Sequence, residues 1–189
     1  MAQILKEEIR ERIFEAALDE FFEKDFKTAI MQNIALRAGI PTGLIYSYYK
    51  NKQALFEEIV RPVIWNLPET LKEAEASSVM GLENYFNIER KFYVGLFERR
   101  KEFLLLMDKS AGTKYFDAKD KMIHMIEQHI RNILEKRGTQ EYDEIFFHIL
   151  ATNHVESLLE IMRHYKSREW AEEMLDLVKK QFFLGSDSL

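Results

Sequence analysis

Thr42, Gly43, Leu44, Tyr46, Ser47 and Tyr48 fall within seven residues of one another, and Lys50 and Lys52 follow directly. Tyrosine hydroxyls hydrogen-bond phosphate oxygens, threonine and serine reach base edges, and lysines supply countercharge. This is the chemistry of gripping a polyanion rather than of breaking a bond. The surroundings agree with it. From Phe26 to Phe56 no acidic residue occurs, although Asp and Glu make up 32 of 189 residues, and Lys27, Arg37, Lys50 and Lys52 are the only charges in the stretch. A local excess of four cations in a chain of net charge −5 suits a surface that approaches a polyanion while the remainder stays soluble.

The elements that must position these residues are helices. Seven Gly, three Pro and abundant Glu, Lys, Leu and Ile favour an all-α fold, and no segment alternates as a strand would. Ile9, Ile13, Phe14, Ala17, Leu18, Phe21 and Phe22 recur at helical spacing and predict a first helix. Thr28 stands where an N-cap is needed for a second, short helix over Ile30 to Arg37. Gly39 ends that helix in the manner of a residue with positive φ, and Ile40 plugs the core. Pro41-Thr42 open a third helix through Tyr49. Two short helices joined by a glycine turn make a helix-turn-helix, whose second helix presents its N-terminal end to the major groove. Tyr46, Tyr48 and Tyr49 also have a plainer reading, as half-buried structural aromatics.

A fourth helix starts near Asn51 and reaches about Asn66, with Pro62 predicting a kink and Pro68 a second break. Further helices are expected at about Val79 to Arg99, Lys101 to Lys109, Tyr115 to Arg137, Glu141 to Lys166 and Ser167 to Phe183. Ser77-Ser78, Ala111-Gly112-Thr113 and Gly138-Thr139 separate them, and the tail from Gly185 is expected to fray. The division is a DNA-binding domain at 1–52 and a helical domain at 53–189.

Nothing points to catalysis or to a cofactor. Cysteine is absent, which removes disulfides and thiolate metal sites. His124 and His129 are five apart and His148 and His154 six apart, so neither pair has the i, i+4 spacing of a helical metal site. Glu160 and His164 share a face, as a solvated helix pair does. There is no phosphate-cradling glycine loop and no nucleophile elbow. The start lacks the features of a signal peptide, and the apolar runs fall far short of a membrane span, so a cytoplasmic protein is expected.

Three strings, IFEAALDEFFEKDF, MQNIALRAGI and GLIYSYYKNKQALF, resemble the TetR family of bacterial transcriptional regulators over residues 4 to 60. Ile34, Ala35, Ala38, Gly39 and Ile40 match the pattern before its recognition helix. Gly43, Ile45, Tyr46, Tyr48, Lys52 and Leu55 match the pattern within and after it. The resemblance implies a three-helix DNA-binding head and a larger helical domain that binds a small effector and dimerises. It places Tyr46, Tyr48 and Lys52 at phosphates and Thr42, Gly43, Leu44 and Ser47 at base edges. Asp25 stands where the family usually has glycine. Ala29-Ile30 replace a threonine pair, which leaves Thr28 to supply the cap and phosphate contact, and Tyr49 replaces a phenylalanine.

The second domain is rich in large soft side chains at helical spacings, most of which must be core. Phe86, Tyr93, Phe97, Phe103, Met107, Met122, Met125 and Phe147 are the candidates to line an effector pocket, with Asn153, His124, His148 or Glu156 to orient the ligand. The wide apolar faces of the last two helices, including Ile149, Val155, Leu158, Met162, Leu175 and Leu177, suit a homodimer built as a four-helix bundle. The expected partner is a palindromic double-stranded DNA operator, released by a largely apolar effector. The competing possibility is a helical protein-interaction module whose tyrosine-rich segment binds a protein.

Overall fold

A computed structural model describes residues 2–64, 82–136 and 142–186. Helices α1 (Ala2–Lys24), α2 (Met31–Arg37), α3 (Thr42–Ile45) and α4 (Lys52–Ile64) are followed by α5 (Leu82–Glu98), α6 (Arg100–Asp108), α7 (Ala118–Lys136), α8 (Glu144–Arg163) and α9 (Arg168–Ser186). No strand occurs among the described residues, so the all-α expectation holds. The breaks expected at Pro68, Ser77-Ser78 and Gly138-Thr139 lie outside the described residues, as does the end of the tail.

The chain packs as two units, one of Met1–Trp65 with Lys101–Lys119 and the other of Asn66–Arg100 with Asp120–Leu189. The inward face of α4, with Leu55, Phe56, Ile59, Val60 and Val63, is buried in the first unit. Phe21, Phe26 and Phe56 form its aromatic centre, with ring centroids 5.2–6.0 Å apart. Edge-to-face contacts to Phe56 suit the ring quadrupoles. The helix α4 continues through Pro62 to Ile64.

The segment 101–119 joins this unit at several points. Lys101 pairs with Asp19 at 2.8 Å, the Phe26 N–H donates to the Lys109 carbonyl at 3.2 Å, and Lys114 pairs with Glu57 at 2.8 Å. Gly112, at φ +91, lies so close to the α1–α2 turn that a Cβ there would sit 3.3 Å from Lys27 Cγ. A side chain at that position would press on the turn as well as strain the backbone.

In the second unit α9 packs on α8 and α5. Arg90 of α5 reaches Glu172 and Asp176 of α9, and Arg168 reaches Glu98. Asp143 caps α8 by accepting the Ile145 N–H at 2.9 Å, so that helix starts at Glu144 rather than at Glu141.

Candidate nucleic-acid interface

The turn between α2 and α3 is built as the spacing predicts. Gly39 has φ +64, its N–H bonds to Leu36 O at 3.1 Å, and the Ile40 N–H bonds to Ala35 O at 3.0 Å. These two bonds form a Schellman motif, which satisfies the last carbonyls of α2. Arg12 of α1 adds a clamp from outside, donating through Nη2 to the carbonyls of Ala38 and Gly39. Ile34, Ala35 and Ile45 are buried between the two helices, fixing their packing.

The helix α3 is shorter than the sequence suggests, because α geometry covers only Thr42–Ile45. Beyond it the Ser47 and Tyr48 N–H groups bond three residues back, to Leu44 O and Ile45 O, as a tightened turn does. The candidate reading segment is therefore one helical turn and a tail. Gly43 and Ser47 are exposed, Thr42, Leu44 and Tyr48 half-buried, and Tyr46 is 52% exposed. A Cβ on Gly43 would meet nothing within 4 Å, so that position offers open surface. Tyr49 is different: only 4% exposed, it is the structural aromatic among the three tyrosines.

The start of α2 corrects the expectation for Thr28. The N-cap is Ile30, which has no side-chain hydrogen bond to the helix. Thr28 faces backwards instead. Its hydroxyl donates to Lys24 O at 2.9 Å and lies 3.0 Å from Asp25 Oδ1, which also takes the Thr28 N–H at 2.8 Å. With its proton taken up by Lys24 O or by the Asp25 carboxylate beside it, this hydroxyl is poorly disposed toward a phosphate. Asp25 itself has φ +99, which explains why glycine suits that position. Thr28 and its N–H hold the Asp25 carboxyl below its usual range.

Lys52 has two tasks. Its ammonium donates to Ala29 O at 2.8 Å and to Lys27 O at 3.3 Å, and lies 4.6 Å from the Phe26 ring centroid. It thereby pins the α1–α2 turn, and burial pushes its pKa down. Arg37 is also committed, to Glu20 and Glu23 of α1. The excess of four cations along the sequence is thus partly neutralised in space, whereas Lys27 and Lys50 stand exposed.

The pattern of bacterial regulatory proteins of the tetR family matches residues 13–59, which is the helix-turn-helix with its flanking helices. Residues 13–59 thus form a helix-turn-helix domain of the TetR type. An HTH-type transcriptional regulator of Bacillus subtilis, the uncharacterized YhgD, is 33% identical over 72 residues, which span 38% of each chain. Its match thus covers well under half of that relative's length. The fold is shared more widely. A TetR-like regulator from Rhodococcus sp. RHA1 superposes with a TM-score of 0.62 over 94% of this chain and 96% of its own, at 18% identity. NalD from Pseudomonas aeruginosa, a secondary repressor of the MexAB-OprM multidrug efflux pump, gives 0.59 over 93% and 95%, at 20% identity.

The other candidate residues lie mostly in the second unit. Tyr93, Phe97, Met122 and Phe147 are buried in the second unit and Met125 half-buried. Phe103, also buried, and the half-buried Met107 lie on α6 and so group with the head. The Phe86 side chain lies outside the described residues. Asn153 does not orient anything inside this unit. It is exposed, because Ala151, Val155 and Leu158 take the inward face of α8. His124 and His148 are exposed too, with His148 facing Glu127 at 3.3 Å. The polar pair that periodicity missed is Tyr93 and His154, with the phenol oxygen 2.6 Å from Nε2. A surface groove of about 460 Å³ on α5 and α9 is lined by Arg90, Glu172, Asp176 and Lys180, among others, a charged rather than aromatic wall.

Proposed function

We propose that this protein is a dimeric, ligand-responsive transcriptional regulator that represses by binding a palindromic operator. The observation that carries the reading is the acid-free segment Thr42–Tyr48, held on a rigid helix-turn-helix and open along Gly43, Tyr46 and Ser47. Thr42, Gly43, Leu44 and Ser47 meet base edges, with Leu44 suited to a thymine methyl, while Tyr46, Tyr48 and the remaining donor of Lys52 meet phosphates. The repressive sign is favoured by likeness to NalD, itself a repressor.

A single short reading helix contacts too few bases to select a site, so two heads must act together. Support for a dimer comes from Ile145 and Ile149 on α8 and Leu177 on α9, which are 57%, 48% and 51% exposed. Val155, Leu158, Met162 and Leu175, which the sequence pattern also puts on that face, are buried within the chain instead. Effector binding in the helical domain shifts α4 and changes the spacing of the heads. Because 101–119 packs in the head's own unit, α6 is a second handle on the head. An effector acts only through its difference in affinity between the two arrangements.

The test is binding to the intergenic DNA beside the gene against a scrambled duplex, across a salt series. Specific binding by a dimer, weakening steeply with salt, is the expected result. Thr42→Ala relaxes sequence preference, and Tyr48→Phe weakens both duplexes alike. Equal weak binding to every duplex, including those enriched from a random pool, would instead favour a protein-interaction module.

A further inference from the structure

We propose that Glu58 is a positioning residue for DNA reading, a latch on α4 that sets the orientation of the reading segment through the Tyr49 hydroxyl. The inference rests on the DNA-reading function proposed above and adds the device that holds the reader in register.

Tyr49 closes the reading segment. Its N–H bonds to Ile45 O at 3.0 Å, its ring is buried, and its hydroxyl donates to Glu58 Oε1 at 3.0 Å. The same carboxylate takes a fork from Arg10 of α1, at 3.2 and 2.9 Å to Oε1 and 3.0 Å to Oε2. Arg61 approaches Oε2 at 3.4 Å from the next turn of α4. One side chain thereby joins α1, α4 and the end of the reading segment. Bidentate guanidinium–carboxylate geometry makes the anchor directional as well as attractive. A phenol at a buried position needs such a partner, since an unpaired buried hydroxyl is costly.

The reading segment needs holding from outside. Four α-helical residues form too little helix to be rigid alone. Hydrogen bonds to base edges tolerate little misplacement, whereas contact with phosphates through lysine is more forgiving. At its front the segment is held by the Gly39 turn and Arg12, and from beneath by Ile45. At its end the hydroxyl–carboxylate bond is the polar fastening. The phenylalanine centre already ties α1 to α4 independently of it. Loosening the latch should therefore tilt the reader without unfolding the head.

An operator is first enriched from a random duplex pool with the wild-type dimer. Affinities for that operator and for a random duplex are then measured for Tyr49→Phe, Glu58→Gln and the double variant, each with its melting temperature. The expected result is a loss of about tenfold on the operator for each single variant, the size of one charge-assisted hydrogen bond. Random-duplex affinity stays within about twofold, melting shifts little, and the double variant is no worse than the poorer single. Unchanged operator affinity in Tyr49→Phe overturns the latch, and so does a parallel fall of both affinities with the melting temperature. If Glu58→Gln does not fold, Tyr49→Phe alone decides. A wild-type protein that enriches no sequence overturns DNA reading itself, and the latch with it.

Discussion

The head and the second unit are both helical and both rich in aromatics, yet they use their aromatics differently. In the head, Phe21, Phe26 and Phe56 meet in one centre, and the remaining large side chains divide between a closed interior and an open reading surface. In the second unit, Tyr93, Phe97, Met122 and Phe147 are all buried, and the sharpest polar feature near them is the Tyr93–His154 contact. A surface that meets an invariant polyanion requires particular residues at fixed spacings on one short segment. A site for a variable small molecule requires only apolar bulk, which a core requires as well. The first kind of site has a local signature, and the second shares its signature with packing.

The largest effect that would sharpen this contrast comes from Phe56→Ala. It removes the ring common to both edge contacts and should cost about 3–5 kcal/mol, measured by denaturant titration, with loss of DNA binding. A cost below about 1 kcal/mol would show that the head does not depend on this centre. Lys52→Ala comes next. It removes two carbonyl contacts and a ring contact as well as the proposed phosphate contact. Operator and random-duplex affinity should fall together by about tenfold, with the salt slope reduced by about one. Loss of stability with unchanged DNA affinity would leave Lys52 a purely internal pin.

Asp25→Gly tests a conflict within the head. Glycine relieves the backbone at φ +99 but loses the carboxylate that takes the Thr28 bonds. At neutral pH the two effects should nearly cancel, leaving a difference within about 1 kcal/mol. Acid separates them. The folded-state pKa of Asp25 is depressed, so its contribution is present above the unfolded pKa and is lost as pH falls through the folded value. Relative to wild type, the glycine variant should gain stability below about pH 4, the ordinary aspartate range. A pH-independent difference in melting temperature would show that the Asp25 bonds contribute nothing.

How far the fold could be read in advance follows the same line. Helix order, the Gly39 turn and the burial of Ile34, Ala35, Ile45 and Leu55 follow from spacing and backbone chemistry, which are local. Spacing fails where a side-chain partner, near or distant, decides. Thr28 reads as a cap for α2, but the carboxylate three residues before it holds it on the α1 side. Arg37 adds to the charge of the acid-free stretch in sequence, but Glu20 and Glu23, from the preceding helix, neutralise it. Tyr49 reads as a small departure from phenylalanine until its hydroxyl meets Glu58, the carboxylate that also takes Arg10 from 48 residues away in sequence. For the effector residues, helical period identifies the inward face but not where that face leaves a void.

The smallest expected effect bears on that last point. Asn153 reads as a ligand-orienting group because it is polar in an apolar stretch, yet it lies on the outer face of α8. Tyr93 lies inside and touches His154. Asn153→Ala should change stability by no more than about 0.5 kcal/mol, as most surface substitutions do. Tyr93→Phe keeps the ring and removes only the hydroxyl, and should cost about 1–2 kcal/mol by leaving the His154 nitrogen without that partner. Paired thermal melts of the two variants measure the difference. If Asn153→Ala is the more damaging, its side chain is engaged in the assembled protein, with α8 at a subunit contact. Analytical ultracentrifugation of the same variant then separates loss of the dimer from loss of the fold.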